Sequence, residues 1–198
     1  MLNLRKGSIV PLGNKLYEGY QRNGNVIFAN VNTDKICKLM EEFMERHEEL
    51  LFFVLELPSK KADETISQQG RVEKFHVDVY YIDGCNRQEA KAILDKVGDL
   101  LVNDGLCRFG FGGHVSHDEI MLGRYNVMTI YGAEHECFDG FFEKYGISAV
   151  EELVTAGDTF SPEFPGKSES ITIDGKSVYD IPEIFQNMGM YFAERREE

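Results

Sequence analysis

The chain of 198 residues contains no tryptophan, only five prolines and four cysteines. It also has no run of about 18 apolar residues, the length that a membrane-spanning helix requires. The cysteines are widely spaced and form no C-x-x-C pair or ribbon-like zinc spacing, so we expect small buried thiols; they are Cys37, Cys85, Cys107 and Cys137. Residues 1–7 lack the apolar core of a signal peptide. These absences predict a cytoplasmic protein.

Positive charge is scarce. The chain has 21 lysines and arginines against 34 aspartates and glutamates, which gives a formal net charge of −13. Binding to phosphate groups needs clustered basic side chains, and no basic stripe is present, so we expect no nucleic-acid partner and no membrane partner. An acidic surface speeds the encounter with a basic protein, although the ordinary acidity of a cytosolic protein explains the same charge.

Several catalytic motifs are missing as well. The sequence has no H-E-x-x-H helix motif, no G-x-x-x-x-G-K-[ST] phosphate loop and no G-x-S-x-G nucleophile elbow. Residues 110–113 contain three glycines, but no helix opens directly after them, as a dinucleotide-binding loop requires. The sequence therefore favours a protein that is not an enzyme, and it predicts no cofactor.

Three segments share the order strand, helix, strand, which the period of their apolar residues indicates. The predicted elements are a strand at 26–31, a helix at 34–49 and a strand at 51–57; a strand at 76–82, a helix at 86–103 and a strand at 106–111; and a strand at 125–131, a helix through Phe138, Phe141, Phe142 and Tyr145, and a weak strand at 152–155. Two consecutive units of this kind have the order of the ferredoxin-like split βαβ arrangement. We predict an α+β fold, with a mixed or antiparallel sheet, helices mainly on one face and an extension by the third unit.

The alternative fold is a doubly wound parallel sheet. It would need a helix between the strands at 51–57 and 76–82, and residues 58–75 are a long polar stretch instead. We therefore assign residues 1–157 to one main α+β domain. Residues 158–198 are predicted to pack on the same domain as a hairpin, with Asp174–Gly175 at its turn, and a helix opened by Pro182. Residues 194–198 should fray into solvent.

The richest segment in chemical groups is the stretch 103–119, which combines glycines with two histidines. His114 and His117 are followed at once by Asp118 and Glu119. His114, His117 and Asp118 could hold a divalent metal, and Glu119 could act as general base of a metal-dependent hydrolase. Asp78, Glu134 or Asp158 could complete such a site. The competing interpretation is a solvated hairpin loop, because this spacing is not diagnostic in a loop.

The first helix carries acidic residues away from its apolar stripe, including Glu41, Glu45 and Glu48. They form either a docking face for a basic protein or a solvated face with ion pairs between successive turns. His47, on the apolar side, is predicted to be a hydrogen-bonded residue at the border of the core.

Phe160 and Phe164 lie in turn-rich sequence, where aromatic side chains can form a binding surface. Our first interpretation is a non-enzymatic, acidic protein-binding module that neutralises a basic partner; in type it is similar to bacterial immunity or antitoxin proteins. The metal-dependent hydrolase is the first alternative. A small-molecule-binding regulatory domain is the second, and a homo-oligomer is compatible with each of them.

Overall fold

The protein is an α+β protein with one large antiparallel sheet and few helices, and its computed structural model describes residues 1–59, 76–132 and 135–197. The helices are α1 (Ile36–Glu45), α2 (Arg87–Asn103) and α3 (Ile181–Ile184). The strands are β1 (Ser8–Ile9), β2 (Gly19–Asn23), β3 (Val26–Asn30), β4 (Leu51–Pro58), β5 (His76–Cys85), β6 (Arg108–Gly113), β7 (Glu119–Leu122), β8 (Val127–Tyr131), β9 (Lys167–Ser168) and β10 (Tyr191–Glu197). No helix in these ranges is long and apolar enough to span a membrane.

The main sheet has eight strands in the order β10-β5-β4-β6-β7-β8-β3-β2, while β1 and β9 form a separate pair. Each neighbouring pair is antiparallel. This confirms the predicted antiparallel sheet and excludes the doubly wound parallel alternative. The repeated ferredoxin-like order is not confirmed. β5 and β6 flank β4, but three strands separate β3 from β4.

Both long helices have an apolar stripe, and α2 also has a side-chain cap, whereas no side chain caps the N-terminus of α1. Asn86 accepts hydrogen bonds from the N–H groups of Gln88 (2.9 Å) and Glu89 (3.1 Å), while the Glu89 carboxylate binds the Asn86 N–H. The predicted stripe of α1 is buried at Ile36, Leu39, Met40, Phe43 and Met44. It joins the core residues of α2 and of the facing strands in one cluster. Burying each such side chain contributes about 1.5–3 kcal/mol.

The helix predicted in the third unit is wrong. Residues His135–Phe138 and Glu143–Tyr145 form short 3-10 turns instead. Gly140 lies between them with a φ of 69°, in the left-handed region that an α-helix cannot contain. The apolar residues of this segment nevertheless pack in the main core, where Phe138, Phe141 and Phe142 are buried. No strand forms at residues 152–155; Ala149 makes a single bridge to Tyr20.

The C-terminal helix is shorter than predicted. It ends at Ile184, and Gly189 reverses the chain with a φ of 86°. The predicted turn at Asp174–Gly175 has two positive φ angles, 50° and 76°, as a type I′ turn requires. Its hairpin is limited to one bridge, between Ile173 and Lys176.

The prediction that the tail frays is wrong for the described residues, because they form β10 at the edge of the main sheet. Arg195 donates two hydrogen bonds to Asp78, at 2.6 and 2.9 Å. Arg196 forms an ion pair with Glu56. The described C-terminal residues are therefore held at the edge of the sheet by backbone pairing with β5 and by two arginine–carboxylate pairs.

The N-terminal segment is anchored by a buried arginine. The Arg5 guanidinium donates to the carbonyl oxygens of Asp104 (2.7 Å), Cys107 (3.2 Å) and Gly123 (2.6 Å). These carbonyls belong to the connections α2–β6 and β7–β8. The segment thus closes the end of the sheet from which β6 begins.

Candidate functional site

An open cleft of about 580 Å³ lies where three separate segments meet. Its walls are residues 46–49 after α1, the residues Val115, Ser116 and Asp118 of the β6–β7 loop, and Cys137. We call it the α1 cleft. Its volume is in the range of natural ligand sites, and it collects several polar and ionisable groups, so it is the candidate functional site.

His47 follows the last turn of α1, and the fold fixes the orientation of its ring. The Nδ1 atom lies 2.7 Å from the carbonyl oxygen of Phe43, so this nitrogen carries a proton. The ring packs on the Phe43 ring with 4.2 Å between centroids. The Nε2 atom lies 3.4 Å from Oδ2 of Asp118. The prediction of a hydrogen-bonded residue at the border of the core is confirmed.

Asp118 is the buried carboxylate of the cleft, with 6% of its surface exposed. The Cys137 thiol lies 4.0 Å from the same Oδ2 atom that contacts His47. Within the described ranges, no lysine or arginine forms an ion pair with Asp118. A Cβ atom at Gly132 would lie 2.7 Å from Oδ1, so a glycine there leaves room for the carboxylate.

Glu49 holds the β6–β7 loop from the opposite wall. Its carboxylate accepts hydrogen bonds from the N–H groups of Val115 and Ser116, the latter at 3.0 Å. Burial by itself would raise the pKa of Glu49, but hydrogen bonds from the Ser116 hydroxyl and from these N–H groups outweigh it and lower the pKa. The Glu49 side chain is therefore anionic at neutral pH.

The cation nearest to these carboxylates is already engaged by the fold. Arg46 donates to Oε1 of Glu42 at 3.2 Å and to the carbonyl oxygen of Cys137. Its guanidinium also lies 5.1 Å from the centre of the Phe141 ring. Arg46 thereby fixes the Cys137 segment, and its ion pair is with Glu42 and not with a carboxylate that lines the cleft.

A second arginine, Arg87, binds the main chain next to the cleft. Arg87 donates to the carbonyl oxygens of Met44 (3.2 Å) and His47 (3.0 Å) at and just after the C-terminal end of α1; the Met44 oxygen also accepts the main-chain N–H of His47 at 3.3 Å. Glu48 is exposed at the rim, and no cation of the described chain pairs with it. The cleft therefore carries an excess of negative charge.

The structure does not bring the predicted metal ligands together. His114 accepts a hydrogen bond from the Gly84 N–H at 3.3 Å, and its Nε2 atom lies 3.9 Å from Oδ1 of Asp83, whereas Asp118 lies in the cleft. His117 is exposed and has a φ of 59°. In the part of the chain that the structure describes, no three histidine, cysteine or acidic residues form a group that could hold a metal ion.

The remaining residues of the hydrolase interpretation are dispersed. Glu119 lies on β7, and burial followed by the Glu56 charge raises its pKa, which Arg196 partly offsets. Asp78 is paired with Arg195. Asp158 accepts hydrogen bonds from the N–H (2.7 Å) and hydroxyl (2.8 Å) groups of Thr155. Glu134 lies outside the described residues.

The acidic residues predicted to form a docking face on α1 divide into two groups. Glu41 pairs with Lys91 at 3.4 Å and Glu45 with Arg87 at 3.0 Å, so both stabilise the contact between the helices. Glu48 alone is left for the cleft. The exposed side of α1 is therefore largely a set of intramolecular ion pairs.

The two phenylalanines of the turn-rich region also differ. Phe160 packs edge-on against Tyr125, with 5.0 Å between ring centroids, beside a small core cluster at the N-terminus. Phe164 is 48% exposed. Of this pair, only Phe164 offers surface to a partner.

The expectation of buried thiols is correct for Cys85 and Cys107, while Cys37 is half-buried and Cys137 is exposed at the cleft. Burial raises the pKa of the Cys107 thiol to about 12. Sequence reasoning missed Cys137 and Glu49 as cleft residues. No local signal marks either of them, because their partners come from distant segments.

Comparisons with protein-family models, with curated proteins and with solved structures found no match. The function is therefore argued from the geometry of the molecule.

Proposed function

We propose that the protein is a non-enzymatic binding module that takes a basic group of a partner protein into the α1 cleft, as an immunity or antitoxin protein does when it neutralises a basic toxin. The observation that carries this proposal is Asp118. It is a buried carboxylate that lines an open cleft, and among the described residues no lysine or arginine forms an ion pair with it; its side chain contacts Nε2 of His47 and the Cys137 thiol. A charge in this position favours an incoming cation.

The surroundings of Asp118 support a cationic ligand. Glu48 stands at the rim and Glu49 in the opposite wall, so an arginine or lysine side chain that enters the cleft meets three carboxylates. Hydrogen bonds between such a cation and a carboxylate are about twice as strong as neutral ones. The net charge of −13 attracts a basic partner over longer distances and raises the rate of encounter.

The same geometry gives less support to nucleophilic catalysis. The Cys137 thiol lies 4.0 Å from Oδ2 of the Asp118 carboxylate, which is a weaker base than the imidazole that activates a catalytic thiol. Nδ1 of His47 is occupied by a main-chain carbonyl, and Nε2 faces the same carboxylate. The groups converge on Asp118, which suits a receptor for positive charge better than a thiol activated by a base.

A titration of labelled peptides tests the proposal. Three short peptides carry arginine, lysine or glutamate between glycine and serine spacers, and fluorescence anisotropy measures their binding to the wild type at low and physiological salt. The arginine and lysine peptides should bind more weakly as the salt concentration rises, and the glutamate peptide should not bind.

The decisive comparison uses two variants of equal charge. The cleft variant is Glu48→Gln with Asp118→Asn; its control is Glu152→Gln with Glu163→Gln, two exposed positions outside the cleft. The cleft variant should bind the arginine peptide about tenfold more weakly than the control, a difference of roughly 1.4 kcal/mol. Equal affinities would show unspecific attraction to an acidic surface and would refute the proposal.

A further inference from the structure

A second surface lies on the face of the main sheet opposite α1 and α2, which we call the outer face. Successive side chains of a strand point to opposite faces. Phe53 and Leu55 of β4 belong to the core beneath the helices, so Phe52 and Val54 point to the outer face. Among the residues that the structure describes, the hydrophobic cluster there is formed by side chains of β4, β5 and β7.

Aromatic side chains and a methionine are concentrated on this face. Phe52 packs edge-on against Tyr81 at 5.7 Å, and Tyr81 contacts Tyr191 at 6.3 Å, both measured between ring centroids. Tyr131 and Tyr191 are 45% and 46% exposed. Such residues are enriched in the cores of protein interfaces. We call these side chains, together with Met121 and Glu119, the outer patch.

Glu119 lies inside the outer patch and not at its margin. It stands opposite Gly112 of β6 on one side and Tyr131 of β8 on the other. A Cβ atom at Gly112 would lie 2.2 Å from the Phe52 ring, so this glycine lets the ring lie flat across β6. The carboxylate of Glu119 is thus flanked by Phe52 and Tyr131 across four neighbouring strands.

Glu56 and Glu119, two carboxylates of this face, differ in their partners. Glu56 pairs with Arg108 at 2.8 Å and with Arg196. Glu119 is half-buried, and no residue of the described chain donates a hydrogen bond to its carboxylate or forms an ion pair with it; the charge of Arg196, which pairs with Glu56, acts on it without contact. Partial burial without a partner is unfavourable for an ionised group, and an external cation would relieve it.

We propose that the outer patch binds a partner segment that presents an arginine or lysine next to an apolar side chain. The cation pairs with Glu119 and lies against the rings of Phe52 and Tyr131, since aromatic faces attract cations. The apolar side chain covers Tyr81 and Met121. The outer patch and the α1 cleft share no residue, so this inference does not depend on the function proposed for the cleft.

The test uses a labelled peptide of alternating arginine and leucine, and a matched peptide of alternating glutamate and leucine. All variants are made in the cleft variant, so that binding in the α1 cleft does not contribute. Glu119→Gln should weaken binding of the arginine–leucine peptide about tenfold and Tyr131→Ser several-fold. The controls Glu163→Gln and Tyr17→Ser, both at exposed positions, should change the affinity less than twofold.

Thermal denaturation of each variant confirms that it is folded before the affinities are compared. The inference is overturned if Glu119→Gln and Glu163→Gln bind equally well, or if the glutamate–leucine peptide binds as tightly as its arginine counterpart. It is also overturned if light scattering shows a wild-type dimer that Glu119→Gln dissociates, because the occupant would then be a second copy of the chain.

Discussion

Nε2 of His47 lies 3.4 Å from Oδ2 of Asp118, and this contact joins the end of α1 to the β6–β7 loop. The two residues are 71 positions apart in the chain. Each is held in place on its other side, His47 by the carbonyl oxygen of Phe43 and Asp118 by the Ser116 hydroxyl, which accepts its main-chain N–H. The contact therefore connects two walls of the α1 cleft.

Replacing His47 with leucine should destabilise the protein by about 1–3 kcal/mol, since it removes the buried hydrogen bond from Nδ1 to the carbonyl oxygen of Phe43 and the contact of Nε2 with the Asp118 carboxylate. The free energy of unfolding, measured with a chemical denaturant, checks this. Lys15→Leu is the control, because Lys15 is exposed. A His47→Leu variant as stable as the control would mean that the contact has no energetic role.

Replacing Glu119 with glutamine should stabilise the protein at neutral pH. The pKa of Glu119 in the folded chain is raised above its ordinary value of 4.5, so the folded state binds a proton more tightly than the unfolded state. Stability then falls as the pH rises from that ordinary value through the raised one. The increase in the free energy of unfolding caused by Glu119→Gln should be largest at pH values above the raised pKa. It should vanish at pH values below the ordinary pKa.

Denaturant unfolding of the wild type and of Glu119→Gln across this pH range measures the effect. Glu163→Gln serves as the control, because Glu163 is exposed. A stability difference that does not change with pH would contradict the account of Glu119.

Removing the Arg195 side chain should release β10 from the sheet. Burial would raise the pKa of Asp78, but hydrogen bonds from Arg195 and Ser59 outweigh it and lower the pKa. The stabilisation is therefore present above the ordinary value of 3.8 and lost as the pH falls through the lowered one. Arg195→Met should cost about 2 kcal/mol at neutral pH, the scale of hydrogen bonds to a charged group.

Hydrogen exchange of the amides in β10 reports this release directly. In Arg195→Met these amides should exchange faster, while those of β3 keep their wild-type rates. Lys15→Met, which removes an exposed cation, should leave both strands unchanged. Unaltered protection of β10 in Arg195→Met would show that backbone pairing alone holds the strand.

Replacing Asn86 with alanine should destabilise α2 by about 1 kcal/mol, because it removes the acceptor for the first N–H groups of the helix. The midpoint of chemical denaturation measures the loss. Asn14→Ala, at an exposed position, is the control. Equal midpoints for the two variants would contradict the role of the cap.

The parts of the fold that depend on local pattern could be predicted from the sequence. The buried stripe of α1 and the Asn86 cap of α2 follow from residue period and residue type within one helix. The strand β10 could not be predicted, because the Asp78 that Arg195 binds lies 117 residues away. The turns at His135–Phe138 were mistaken for a helix because an apolar spacing alone does not reveal the break at Gly140.

The candidate site was only partly visible in the sequence. Asp118 and Glu48 were named as site residues, but for a metal and for an exposed helix face respectively. Glu49 binds Ser116 across 67 residues, and this pairing has no local signal. His114 and Asp118 are close in sequence, yet they point to different partners, because the loop between β6 and β7 presents one side to Asp83 and the other to His47.

The most direct test of the central claim is to locate the binding site of a basic ligand on the wild-type protein. Amide shifts in a two-dimensional ¹⁵N NMR titration with the spaced arginine peptide give this location residue by residue. The account predicts that the largest shifts occur at Val115, Ser116 and Asp118, around the α1 cleft. The absence of shifts, or shifts confined to other parts of the surface, would contradict it.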